Sequence, residues 1–310
     1  MPPPETKGIL LLAHGTPQSI DEFPEFLKSI KRGGTVEEEV LNEVIRRYHS
    51  IGGLSPLIQI SNDQTRELQR LLDAKCPNEF LVELGNKHCE PSIEKSAESL
   101  LAQNVTEITA IVLTPHYSTM GTGEYLNRVK DAIGQAPVKA NLVKSWWNND
   151  KFLELLALRV QSALLELPFE NSAVIFSAHS LPTRILDIGD PYPNEHIGTA
   201  SKVAEKLNLS KDRFKVAWQS AGMSGGSWLE PSLALCINDF VKEGFENIVI
   251  CPDGFTSDHT EILYDLDIEA KHLADSLGAK TYRTKSLNAD PAFIEVLADI
   301  AIHPASFDMA

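Results

Sequence analysis

At 310 residues and 34.2 kDa the chain is long for one average domain and comfortable for two of about 150 residues each. Hydrophobic residues make up 43% and charged residues 23%, which excludes disordered, collagen-like and fibrous readings. A formal charge of −15, from 28 basic against 43 acidic side chains, repels nucleic acid and anionic lipid, so any anionic ligand must be gripped by local basic groups.

The longest apolar runs, such as Gly8 to Ala13, fall far short of the roughly 18 to 20 residues of a membrane span. The opening MPPPETK has no apolar segment behind a basic one, which places the chain in the cytoplasm. Cys76, Cys89, Cys236 and Cys251 contain no CxxC pair and suit buried, reduced thiols.

Short apolar runs alternate with stretches of helical period, the signature of an α/β fold with parallel sheets flanked by helices. Eight strands are expected: Gly8–Ala13, Phe80–Leu84, Ile108–Leu113, Leu142–Ser145, Ala173–Ser177, Phe214–Trp218, Ile248–Cys251 and Ala279–Tyr282. Between them, apolar stripes mark helices around Leu68, Leu71 and Leu72, from Phe152 to Leu167, and from Leu233 to Val241. A last helix spans about 291–302 and can pack back on the first half.

The two halves echo each other. ILLLAHGTP and VIFSAHSLP both run a strand into Ala-His and a later proline, and AIVLTPHYST and NIVICPDGFTS both run a buried strand into a proline. This implies two similar Rossmann-like domains, 1–145 and 146–310, each with a four-stranded parallel sheet and with the active-site cleft between them. No GxGxxG, GxxxxGK[ST] or GxSxG follows a strand, which argues against dinucleotides, nucleoside triphosphates and serine esterase chemistry.

Three groups can carry chemistry. His14 and His179 each close a strand and face one cleft, where a neutral imidazole binds a metal or takes a proton. In DHTEILYDLDIEA, Glu261, Asp265 and Glu269 recur every four residues and form one acidic stripe on a helix, a pattern for passing a divalent cation or protons to solvent. Lys31, Arg32, Arg46 and Arg47, with Gly52, Gly53 and Ser55, form a basic, glycine-bearing stretch suited to carboxylates, and Tyr125, Arg128 and Lys130 form a second.

Together these motifs resemble the ferrochelatase family, whose members insert ferrous iron into a porphyrin. The resemblance runs from GILLLAHGTP through IGGLSPL, NKHCEPSIE, TPHYSTMGTGEYLNR, SAHSLPTRI, GDPYP and DGFTSDHTEILYDLDIEA to YRTKSLNADPAFI. In length it is most similar to the short, soluble enzymes of Gram-positive bacteria, which act on coproporphyrin III. It implies that His179 and Glu261 are the catalytic pair, with His179 accepting pyrrole protons. It further implies that His179, Glu261, His14, Asp265 and Glu269 meet the metal, the last two on a helix that is locally widened in the family. His14, Lys31, Arg32, Arg47, Ser55 and Tyr125 match the porphyrin-binding surface, and His88 matches another recurring histidine.

By the same resemblance no resident cofactor is required, Fe²⁺ is a substrate, an additional divalent cation such as Mg²⁺ can sit on the outer acidic stripe, and the chain is a monomer that contacts a membrane or a haem-pathway protein only transiently. Two departures stand out: His14 replaces the tyrosine that short Gram-positive members commonly carry, and Lys31–Arg32 replaces an arginine pair. Alternatives are protoporphyrin IX as substrate, a catalytically silent porphyrin or haem carrier of the same fold, and a chelatase for cobalt or nickel. The presence of both His179 and Glu261 argues against the carrier.

Overall fold

The computed structural model describes residues 6–222 and 226–309. Two parallel sheets carry the eight expected strands. The first contains β1 (Lys7–Ala13), β2 (Phe80–Asn86), β3 (Glu107–Val112) and β4 (Lys139–Ser145) in the order β2-β1-β3-β4. The second contains β5 (Ser172–His179), β6 (Phe214–Gln219), β7 (Asn247–Cys251) and β8 (Lys280–Arg283) in the order β6-β5-β7-β8. The two orders are the same topology used twice.

The repeat includes a further landmark. Glu90-Pro91-Ser92 and Glu230-Pro231-Ser232 each follow the second strand of their half, and each serine caps the next helix by accepting from the backbone N–H three residues on, Lys95 and Leu235 respectively.

One element departs from the expectation. Residues Asp308–Met309 form β9, which pairs antiparallel with β4 at Val143 and Ser145, so the first sheet has five strands rather than four. A two-residue strand carries too little sequence pattern to announce itself. The preceding helix, Pro291–Ile302, packs against helices Leu57–Lys75 and Asp150–Leu165, so the chain's last segment braces the first half after completing the second.

Packing explains why the strands read as unbroken apolar runs. In β1, Ile9, Leu11 and Ala13 point into a large cluster between the two sheets, while Leu10 and Leu12 point into a separate cluster under helices Ile93–Ala102 and Thr122–Ile133. The large cluster is shared: Phe80 and Val143 of the first sheet and Val174, Phe176 and Val249 of the second meet around Phe152 and Phe293. A third cluster covers the outer face of the second sheet with helix Leu233–Lys242 and the segment Ile262–Ala270. The passage between halves is itself core. Trp146 is 1% exposed and donates from its indole nitrogen to the Val112 carbonyl, and Asn149 caps the next helix through Phe152 N. All four cysteines are unpaired, with Cys236 and Cys251 buried and Cys76 and Cys89 half-buried.

Candidate active site

Parallel strands deliver their carboxyl ends to one edge, and there the two halves enclose a cleft of about 360 Å³. Its walls are largely apolar and aromatic, with Leu12, Leu57, Val112, Met120, Tyr125 and Phe255 among them, and its polar groups converge from both halves.

On the second half, His179 ends β5, the first residue of that strand not fully buried. Its Nδ1–H donates to the Ser180 carbonyl, which leaves Nε2 facing Glu261 Oε1 at 3.5 Å. The other oxygen of Glu261 lies 3.5 Å from Nε2 of His259, whose Nδ1–H in turn donates to the Ser257 carbonyl at 2.9 Å. Glu261 therefore sits between two imidazoles whose tautomers are fixed by backbone carbonyls and whose Nε2 atoms both face it. Burial disfavours a charged His179, yet the neighbouring carboxylate overrides it and raises the imidazole to about 9. Burial likewise opposes the charge on Glu261, and His179 and His259 hold its carboxyl well below the usual range.

The loop that presents His259 and Glu261 comes close because residue 254 is glycine. A Cβ there would lie 2.5 Å from the Ala178 Cβ and 2.9 Å from its Cα, so any side chain would push the loop off the end of β5.

On the first half, His14 follows β1 and His88 follows β2. The His88 N–H donates to the His14 carbonyl at 3.0 Å, which sets the two rings 4.6 Å apart. The His14 Nδ1–H donates to the Gly15 carbonyl at 3.0 Å, and the exposed residue lines the cleft. Burial lowers His14, while the distant charge of Glu261 pulls the other way. His88 is pushed down to about 3 by burial, with His14, Lys87 and Arg128 acting in the same sense. Both are neutral near pH 7.

The acidic stripe lies on Ile262–Ala270, which is a π-helix throughout, the widened helix that the resemblance implied. Asp265, Glu269 and Glu261 line a second cavity of about 440 Å³ together with Glu43, Arg47 and Ser220. Glu261 lines both cavities and is the junction between them. Burial raises Asp265 to about 6, with Glu261 and Glu269 adding to it and Ser220 and Arg47 opposing. Among the described residues no three His, Cys, Asp or Glu side chains converge as a closed metal site.

The residues matched to the porphyrin surface divide. His14 and Tyr125 line the cleft. Ser55 is buried and accepts from the N–H of Leu57, a lining residue, so it shapes the wall from behind. Lys31 is exposed and donates to the Thr35 carbonyl, and Arg32 pairs with Glu124. Arg47 faces the acidic cavity instead of the cleft: its guanidinium is 2.9 Å from Glu43, 3.5 Å from Asp265 and 4.8 Å from the Tyr264 ring. Helix Glu38–Ser50 turns Arg47 toward Asp265, at the acidic cavity.

The basic group that does line the cleft is Lys87, which sequence reasoning passed over although NKHCEP contains it. It bonds Glu124 at 2.6 Å and lies 5.0 Å over the Tyr125 ring. Despite that carboxylate, burial, reinforced by Arg32 and Arg128, lowers its ammonium to about 8.

The fold places the chain in a class of proteins built from two similar Rossmann-like halves. It is similar over 98% of its length to the structure titled sirohydrochlorin chelatase SirB from Bacillus subtilis subspecies spizizenii in complex with cobalt, with a TM-score of 0.57 at 12% identity and all of that chain covered. It is similar over 97% of its length to the siroheme enzyme CbiX of denitrifying bacteria, with a TM-score of 0.55, 12% identity and all of that chain covered. Within the class the chain belongs to the ferrochelatase family, whose profile matches residues 6–304. It is 38% identical to the coproporphyrin III ferrochelatase of Geobacillus thermodenitrificans, with 96% of each chain covered. It is 36% identical to the enzyme of the same name from Bacillus subtilis, covering 95% of this chain and 96% of that one, and 36% identical to the ferrochelatase of Herpetosiphon aurantiacus, covering 94% and 97%.

Proposed function

We propose that this chain inserts Fe²⁺ into coproporphyrin III in haem biosynthesis, with His179 and Glu261 as the catalytic pair. The observation that carries the reading is the His179–Glu261–His259 array on one wall of an apolar cleft, with neutral His14 opposite.

A flat macrocycle holds two N–H protons where the metal must go. Binding energy from the ring edges and carboxylates, spent on tilting one pyrrole, exposes its proton and lone pair together. Nε2 of His179 takes that proton, and Glu261 passes it between His179, His259 and the acidic cavity. Raised to about 9, His179 must first hand its own proton to this relay, whose carboxylate oxygens lie 3.5 Å from the Nε2 atoms of His179 and His259. On the opposite wall, His14 offers Fe²⁺ a neutral nitrogen where a phenol would offer oxygen. Lys87, the cleft's basic lining group, is suited to hold a propionate as a point charge.

Among the described residues no helix is long and apolar enough to cross a membrane. The reading extends to a cytoplasmic monomer without a resident cofactor, in which Asp265 and Glu269 can hold an additional divalent cation.

The test is anaerobic Fe²⁺ insertion by the purified chain, followed by absorbance, with coproporphyrin III and protoporphyrin IX side by side. Faster metallation of coproporphyrin III is expected. Preference for protoporphyrin IX would overturn the substrate, and tight haem binding without metallation of either would overturn the reaction.

A further inference from the structure

Under the floor of the cleft lies a buried polar group that the reaction described above does not use. His116, in the loop after β3, lines the cleft and is 2% exposed, while His196, on helix Tyr192–Lys206, and Asp253, just after β7, are both 0% exposed. The rings of His116 and His196 are 5.5 Å apart.

The hydrogen bonds fix the tautomers. The Thr199 hydroxyl donates to the Glu195 carbonyl at 3.2 Å, so its oxygen accepts from Nε2–H of His116 at 2.8 Å. Nε2–H of His196 donates to Asp253 Oδ1 at 3.0 Å. Three polar atoms then remain without a protein partner: Nδ1 of His116, Nδ1 of His196 and Oδ2 of Asp253. Two are imidazole lone pairs in neighbouring rings, and no side chain gives either of them a donor. A buried acceptor without a donor is costly, and what both rings lack is one proton or a proton-donating water.

The charge balance points the same way. With Asp253 ionised and His196 neutral, the buried pair carries a net negative charge, and one added proton makes it neutral. Trp218, with its ring 4.7 Å from His196, keeps bulk water from that side. The titratable groups that face the cluster are Tyr192 and Glu195 on the same helix and Cys251 on β7. Glu195 is taken up by Tyr117 N and the Ser145 hydroxyl, and Asp190 and Glu261 act on Tyr192 through their charge. Burial pushes the Asp253 carboxyl up and His116 down, both in the sense of an environment that resists net charge.

We propose that His116, His196 and Asp253 form a second proton acceptor beneath the cleft, taking one of the two protons that the macrocycle releases on metallation. The inference rests on the metal-insertion reading. In the step, a pyrrole N–H bond breaks and its electron pair stays on the ring nitrogen to bind Fe²⁺. The proton passes through a cleft water to His116 and on to His196, where a new N–H bond forms against the charge of Asp253. Nothing is oxidised or reduced, and the proton returns to solvent through the open cleft once product leaves.

Two variants test this. Asp253→Asn keeps the shape and a hydrogen bond to His196 but removes the charge that makes proton uptake neutralising. His196→Leu combined with Asp253→Val removes the pair and leaves no unpaired partner, so it carries the test if the single variant does not fold. Each is expected to bind metal-free coproporphyrin III with wild-type Kd, to lose about tenfold in kcat, and to show a larger solvent deuterium isotope effect on kcat. Rates within twofold of wild type in both variants would sink the inference alone. A wild type that metallates no porphyrin would overturn the metal-insertion reading and the inference with it.

Discussion

His14 and His179 occupy equivalent positions in the two halves, each at the carboxyl end of the strand second in its sheet's order, β1 and β5, yet they are prepared for opposite tasks. His179 faces a carboxylate at 3.5 Å and is raised to about 9, whereas His14 faces another imidazole 4.6 Å away and is lowered by burial. The backbone gives both rings the same tautomer, since each Nδ1–H bonds the carbonyl of the following residue. What separates them is the neighbour that the loop after an adjacent strand supplies: Glu261 after β7 for one, His88 after β2 for the other. Duplication of a fold supplies matched positions, and the second contact decides which becomes a base and which a neutral ligand.

Removing the difference is the most damaging change. In Glu261→Gln, burial, the largest influence opposing charge on His179, is left with only the Ser180 carbonyl and Asp265 against it. The His179 titration followed by NMR then falls from about 9, and kcat for iron insertion drops roughly 10²- to 10⁴-fold. The sign for stability follows. A His179 raised above its ordinary value contributes fully below about 6.5, and that contribution disappears as pH climbs through about 9. Denaturation of the wild type between those pH values therefore shows a decline that Glu261→Gln lacks.

Next in size is Gly254→Ala, which forces the Glu261 loop away from Ala178 and costs about 1–3 kcal/mol in chemical denaturation, with a loss of kcat that exceeds any change in KM. Lys87→Ala acts on the other wall. It raises KM for coproporphyrin III about tenfold, roughly 1.4 kcal/mol, with kcat nearly intact, and a parallel loss in kcat would contradict its role as a binding group. Smallest is Arg47→Ala, which leaves KM for the porphyrin within about twofold because that guanidinium serves Glu43 and Asp265, not the cleft.

The sequence makes plain what is buried on both faces and what local order repeats. The eight parallel strands read as apolar runs because helices cover each sheet, and His14 and His179 stand out because Ala-His recurs at matched places. Neighbours brought together by tertiary packing leave no such trace. His196 and Asp253 meet across 57 residues, Arg47 reaches Asp265 across 218, and the two-residue β9 is specified by its partner strand. Lys87 stands beside recognised residues, inside NKHCEP, but a lysine next to a motif is common, and only the cleft lining singles it out. The unbroken π bonding of Ile262–Ala270 likewise has no periodicity that distinguishes it from an α-helix.

The most direct test of the asymmetry is a paired measurement: single-turnover Fe²⁺ insertion into bound coproporphyrin III by His179→Ala and by His14→Ala, with porphyrin affinity measured in both. The account predicts a loss of at least about 100-fold for His179→Ala and less than about tenfold for His14→Ala, at similar affinities. Equal losses, or a larger loss for His14→Ala, would contradict it and move the base to the opposite wall.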